Sequence, residues 1–285
     1  MRRFQHGVAL ITLLLIMGLA LLLVGGLLRG HRLLAQSTAQ QVHQLQMRQW
    51  ALSGEALARQ LLARRQADGW TTVHLGQTWA RSDLRLDAGE GVDIRLAIED
   101  LGGRVNLEPL RMAGRPDAQA AQRWARLMED LQLPPLEVTQ LAAGDVFEVS
   151  RLRLLPGMDA LQLQRLAPWV AILPRTALLN INTAPAQVLA SLGIPVEVAR
   201  QVAGQRPVNG YDSVQAFLDQ PLLSRQALSA HGLGLSSERF HATVQVRAGE
   251  QRLRLVSDLA VGRDRHSVQV VQRRLLTPLD QEALP

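Results

Sequence analysis

The chain begins MRRFQHG (residues 1–7) and runs on without a charge as VALITLLLIMGLALLLVGGLL (residues 8–28). Twenty-one uncharged residues make a helix of roughly 31 Å at about 1.5 Å per residue, long enough to cross a bilayer. An ordinary secretory signal has a shorter apolar segment, about 7–15 residues, followed by a small-x-small cleavage site. Here Arg29 follows directly, so the run fits a segment that stays on the chain. Beyond it Leu33, Leu34, Val42, Leu45, Leu52, Leu57, Leu61 and Leu62 recur at mostly helical spacing, and no Pro or Gly falls within 32–53. The pattern predicts one helix from Val8 to about Arg65, interrupted at most near Gly25, Gly26 and Gly30, its second half lying on a sheet.

Composition divides along the same line. The net charge is +6, but residues 1–50 hold five arginines and no acid, which leaves 26 Arg against 25 acidic residues downstream. The body is nearly neutral, and the overall charge is no argument for nucleic acid. With no cysteine the fold uses neither disulfides nor a thiolate metal site.

In the body, VDIRLAIEDLGGRVNL (92–107) alternates apolar and polar residues and predicts a hairpin turning at Gly102–Gly103. FHATVQVR (240–247), LRLVSDLAV (253–261) and SVQVVQRRL (267–275) predict three further strands, with turns at Gly249 and Gly262, in an antiparallel meander buried on one face. Between the groups, periodic helices such as 118–131 and 187–192 alternate with Pro and Gly breaks. The fold class is α+β: a long N-terminal helix on an antiparallel sheet that a helical insert interrupts.

A short basic leader ending in glycine just before an apolar helix resembles the leaders of prepilins. The resemblance implies cleavage between Gly7 and Val8 by the prepilin peptidase, methylation of the new N-terminus, and retention of the helix. Two positions depart from the common pattern: the first mature residue is Val8 where Phe is usual, and the fifth is Thr12 where Glu is usual. A plain signal anchor remains the bland reading of the same stretch, with Gly7 merely near a helix start.

The rest of the chain resembles the minor pseudopilin K subunit family of the type II secretion system. EDLGGRVNLEPL (99–110) is similar to that family's Asp-x-x-Gly-x-x-Asn-Leu segment. RLRLLPGMDALQLQRLAPWVAILP (151–174) is similar to the stretch that follows it, and LLNINTAPAQVLASL (178–192) is the most specific match. Absence of the glutamate at Thr12 is itself the K-type pattern. Residues 126–144 lack an acidic, Trp-rich stretch that many members carry. The resemblance implies a pilin-like fold with a helix-hairpin-helix or SAM-like insert, and a role at the tip of a periplasmic pseudopilus that initiates its assembly and supports protein secretion. It implies inner-membrane, single-pass anchoring with the C-terminal body in the periplasm. The implied partners are the I-, J- and H-type minor pseudopilins, the major pseudopilin and the prepilin peptidase. The implied division is 1–7 leader, 8–28 membrane half of the helix, 29–114 periplasmic helix and first part of the sheet, 115–239 insert, and 240–285 second part of the sheet and tail.

The stretch 179–218 also resembles a helix-hairpin-helix, which supplies the rival reading of a membrane-anchored DNA-binding protein. In that module backbone N–H groups beside a helix N-terminus hold phosphate. Here Gly193 opens the hairpin, but Pro195 has no N–H to offer, and Arg200 and Arg206 are the basic residues near it in sequence, opposed by Glu197. Asn180, Asn182 and Thr183 are the polar residues that stand out in the motif. They read as turn ties, with Thr183 as an N-cap ahead of Pro185. The seven histidines have no metal-type spacing. Calcium is implied by family resemblance only, since Asp258, Asp264 and Asp280 are scattered. Trp50, Trp70, Trp79, Trp124 and Trp169 read as core anchors. No hydrolase, P-loop or dinucleotide motif is present, so the chain reads as a structural protein without catalytic residues or cofactor.

The leader generates a direct expectation. N-terminal sequencing of the mature protein should begin at Val8, and Gly7→Val should leave the leader attached while the protein still inserts. A mature chain starting at Met1, or one cut after residue 28, contradicts the prepilin reading.

Overall fold

The computed structural model describes residues 5–67, 71–81, 84–89, 91–111, 117–136, 148–262 and 267–276. Residues 1–4 of the leader, Trp70, the stretch 137–147, Asp264, His266 and the tail 277–285 with Asp280 lie outside the described residues, as do the side chains of His6 and His31. The chain divides into two compact units, Met1–Trp50 and Ala51–Pro285.

The apolar run and the Pro-free stretch after it form one unbroken helix, α1, Gln5–Ala67, which Gly25, Gly26 and Gly30 do not interrupt. In the first unit every described side chain from Thr12 to Gly26 is exposed, Leu22 at 76% among them. Among the described residues no helix is apolar over a long enough stretch to cross a membrane. The described side chains of the run are those of Thr12–Gly26, whereas the uncharged sequence extends from residue 8 to 28.

In chain order the second unit continues α1 with β1 (Leu84–Asp87), β2 (Val92–Asp100), β3 (Val105–Asn106), α2 (Ala118–Asp130), α3 (Ala160–Leu166) and β4 (Val170–Ala171). Then come β5 (Leu179–Asn180), α4 (Ala186–Ala190), α5 (Val196–Gly204), α6 (Val214–Leu218), β6 (Leu233–Gly234), β7 (Arg239–Ala248), β8 (Gln251–Val261) and β9 (Val268–Leu276). The main sheet has the order β1-β2-β7-β8-β9 with every neighbouring pair antiparallel. The three C-terminal strands form the meander that alternation predicts. The strand before the insert, β2, lies directly against the strand after it, pairing Ile94 with Val246 and Ile98 with Ala242.

One expectation fails. The segment 92–107 is not a hairpin: after β2 the chain makes a 3-10 turn at Leu101–Gly103, and β3 pairs parallel with β4 of the insert. The Asp100 carboxylate accepts the Gly102 amide at 2.8 Å, which closes the turn and leads the chain off the sheet. The insert then gathers its own core, in which Leu127, Leu152, Leu166, Ile181, Leu189 and Phe217 are fully buried. Trp79 and Trp124 are core residues as expected, whereas Trp50 and Trp169 are only partly buried.

Within the second unit α1 buries Ala51, Gly54, Glu55, Ala58 and Leu62, a stripe at three- and four-residue spacing. Of the leucines quoted from the sequence in this part of the helix, only Leu62 is fully buried. Small residues let the helix sit close to β7: a Cβ at Gly54 would fall 2.5 Å from a Val244 methyl. Glu55 is buried on this stripe and accepts from Ser257 of β8 at 2.6 Å and from Arg273 of β9 through two bonds of 2.7 Å. Arg59 adds a bond to the Val268 carbonyl at 3.0 Å.

Burial pushes the Glu55 carboxyl up, but the bonds from Arg273 and Ser257 and the charges of Arg273 and Arg59 outweigh it and hold the group below its ordinary value. A carboxyl depressed on folding contributes stability above its unfolded pKa, about 4.3, and loses it as pH falls through the folded value. Glu55→Gln is therefore expected to cost about 1–2 kcal/mol at pH 7. The gap between variant and wild type should close as pH drops below about 4.3, measured by urea denaturation across pH.

Candidate functional site

The structure collects most of the motif residues around one buried carboxylate. Asp100 ends β2 and is buried. Its second oxygen accepts from Asn180 Nδ2 at 2.8 Å, Thr183 Oγ1 at 2.6 Å and Ser237 Oγ at 2.9 Å, while the first takes the Gly102 amide. Asn180 follows from β5, Thr183 from the turn after it, and Ser237 from the approach to β7. The middle of the insert and its return to the sheet are thus tied to the strand that precedes it.

The ties extend outward. Asn180 gives its other amide hydrogen to the Val73 carbonyl at 3.0 Å, and its Oδ1 accepts the Asn182 amide at 3.1 Å. Asn182 in turn brackets the Tyr211 backbone, accepting its N–H at 2.7 Å and donating to its carbonyl at 3.2 Å. Val73 donates to Leu235, which closes the ring of contacts. Close approach requires glycine at two positions. A Cβ at Gly102 would fall 1.8 Å from Ser237 Oγ, and one at Gly103 would fall 2.9 Å from the Thr183 backbone.

The turn-tying role expected of Asn180 and Asn182 is observed, but the N-cap expected of Thr183 is not. Pro185 occupies the N-cap position of α4, and the Thr183 hydroxyl is spent on Asp100 instead. A buried carboxylate outcompetes the helix end for that donor because leaving it unbonded costs more. Burial holds the Asp100 carboxyl above its ordinary value despite the bonds from Thr183, Ser237, Asn180 and Gly102. By linkage, its share of stability is full at low pH and declines as pH rises through the folded value.

Gly193 lies between α4 and α5 with φ +98°, so the helix-hairpin-helix reading of the local backbone is met. The basic residues near it are otherwise engaged. Arg200 pairs with Glu197 at 2.5 Å, and Arg206 donates inward to the Ala184 carbonyl at 2.6 Å. A third, Arg126 of α2, is brought over Gly193 by the fold, a neighbour invisible in the local sequence. At the other end of the chain the helix predicted to begin at Val8 starts slightly earlier, so that Gly7 and Val8 lie inside the first turns of α1. A peptidase cutting there has to unwind a helix end, which a glycine weakens by about 1 kcal/mol relative to alanine. Thr12 lies exposed on the same helix.

No group of His, Asp and Glu among the described residues is arranged to hold a metal. Asp258 does not fit calcium: it bonds His241 Nδ1 at 2.7 Å and faces Arg274 at 3.9 Å. Its carboxylate oxygens are thus already engaged by side chains of the fold.

Residues 179–236, the span from β5 through β6 that Asp100 ties down, match the family model described as type II secretion system (T2SS), protein K. Over 96% of its length the chain is 33% identical to type II secretion system protein K of Klebsiella pneumoniae, covering 97% of that protein. The chain belongs to the type II secretion system protein K family. It is 31% identical to the family member from Pseudomonas aeruginosa, over 93% of the chain and 91% of the relative. Its fold is that of a chain in the crystal structure of the GspK-GspI-GspJ complex from enterotoxigenic Escherichia coli. The TM-score is 0.68 at 23% identity, covering 84% of this chain and 99% of that one. Membership makes the protein a minor pseudopilin of type II secretion. Nothing in these comparisons or in the hairpin favours the DNA-binding alternative.

The Asp100 cluster generates a mutational test. Asp100→Ala is expected to cost about 3 kcal/mol or more, because several buried donors lose their acceptor at once. Ser237→Ala alone should cost about 1–2 kcal/mol. The double variant should cost less than the sum of the two single variants, since removing Asp100 already removes the bond that Ser237 donates to it, and chemical denaturation of the four proteins reads the coupling.

Proposed function

We propose that this minor pseudopilin is anchored in the inner membrane by residues 8–28, carries its body in the periplasm, and occupies the tip of the pseudopilus, initiating assembly in support of protein secretion. The observation that carries the reading is the apolar surface of α1. Every described side chain from Thr12 to Gly26 is exposed, and an apolar stretch of this kind needs lipid or other apolar helices around it. Cleavage at Gly7–Val8 by the prepilin peptidase and methylation of Val8 belong to the same reading, as does a purely structural, non-catalytic role. The similar Escherichia coli chain is found with GspI and GspJ. The corresponding I- and J-type pseudopilins, together with the H-type and the major pseudopilin, are the partners assigned to this chain.

Thr12 supports the tip position. A glutamate at this place in other pilin-like subunits pairs with the charged N-terminal amine of a neighbour already in the fibre, because an unpaired charge among apolar helices is costly. Threonine carries no charge for that purpose. A subunit with no predecessor has no need of the carboxylate, while its own amine at Val8 is still open to pairing with a subunit added below.

The experiment is cross-linking from positions around Thr12 in assembled pseudopili, together with a count of copies per fibre. One copy per fibre, with partners trapped on one side only, is the expected result. Regular recurrence of this protein along the fibre contradicts the tip position.

A further inference from the structure

A second constellation lies on the insert, away from Asp100. Arg123 and Arg126, one turn apart on α2, line a cavity of about 320 Å³ together with Gln119, Gln122, Ser229 and Gly193. Each guanidinium is seated on a glycine in left-handed backbone. At Gly193, φ +98°, a Cβ would fall 2.7 Å from Arg126 Nη1; at Gly232, φ +70°, it would fall 3.0 Å from Arg123 Nη1. Any other residue at these positions would be strained and would displace the cation. Arg123 is held further by bonds to the carbonyls of His231 at 2.6 Å and Gly232 at 3.5 Å, which use only part of its five-donor fork.

Neither arginine forms an ion pair among the described residues. Asp117 and Asp130 act on Arg123 and Arg126 respectively through charge alone, and Asp117 is turned toward the Ala120 amide and His231. Burial lowers the Arg123 guanidinium from its usual range, and the charge of Asp117 offsets this only in part. The cavity has the size of a small recognition pocket, and planar guanidinium forks match carboxylates in geometry.

We propose that this cleft docks a carboxylate-bearing peptide segment of a partner protein, with Arg123 and Arg126 each gripping an acidic group and Gln119, Gln122 and Ser229 bonding the neighbouring backbone. A nucleic acid is a poorer fit. Phosphate backbones need an extended basic track, and here Arg200 is paired with Glu197 while Arg206 points inward. The site does not depend on where the subunit sits in the fibre.

The test is isothermal titration of the full-length protein in neutral detergent with a pool of blocked hexapeptides, each carrying two glutamates at varied spacing. The same peptides with glutamines, and inorganic phosphate, are the other two arms. Saturable binding of the acidic pool is expected, at least tenfold tighter than the glutamine pool. Arg126→Gln should weaken it at least tenfold with an unchanged melting temperature, because this side chain makes no bond to the rest of the fold among the described residues. Arg126→Lys should fall between. No binding by the folded protein, equal binding of both pools, or unchanged binding in Arg126→Gln would overturn the proposal. Phosphate binding as tight as that of the acidic pool would assign the site to phosphate and overturn it equally.

Discussion

A carboxylate taken out of water has to be given donors, and in this protein that requirement at Asp100 sets the relation between sheet and insert. Its partners come from 80, 83 and 137 residues further along the chain, as well as from the adjacent turn. Removing any one leaves the others facing a buried group that is costly to leave unbonded. The insert is therefore a continuation of the sheet's polar framework despite having its own apolar core. Strand β2 pairs directly with β7, and both the middle of the insert and its return to β7 are bonded to the carboxylate at the end of β2.

A second buried carboxylate, Glu55, does the corresponding work between helix and sheet. It lies on a stripe of small residues, where the helix comes too close to β7 to leave room for bulk, and it is answered by Ser257 and Arg273. These two contacts divide α1 by environment. The part in the second unit is fixed by polar pairing and close packing, whereas Thr12–Gly26 presents apolar side chains outward.

Much of this was legible because it rests on periodicity. The long helix follows from an uninterrupted apolar run, and the meander β7-β8-β9 follows from alternation with glycine turns. What escaped was non-local. The Gly102–Gly103 turn has a hairpin's composition, but the donors that redirect it lie far downstream, so no window around it reveals them. Thr183 looks like an N-cap until Asp100 is placed beside it. The stripe Ala51, Gly54, Ala58 is small and weakly apolar, so leucine counting points to the wrong positions. Arg126 belongs to the hairpin site only through the packing of α2 on α4. The family resemblance, by contrast, was readable in LLNINTAPAQVLASL, because those residues are fixed by the contacts that hold the insert in place.

If Asp100 makes sheet and insert one cooperative body, the most direct measurement is native-state hydrogen exchange on the full-length protein. The amides of Gly102, Asn182, Ala184 and Tyr211 should exchange through the same global opening as those of β2 and β7, with one free energy and one denaturant dependence. An insert whose amides exchange through a separate, lower-energy opening while β2 and β7 stay protected would contradict the account.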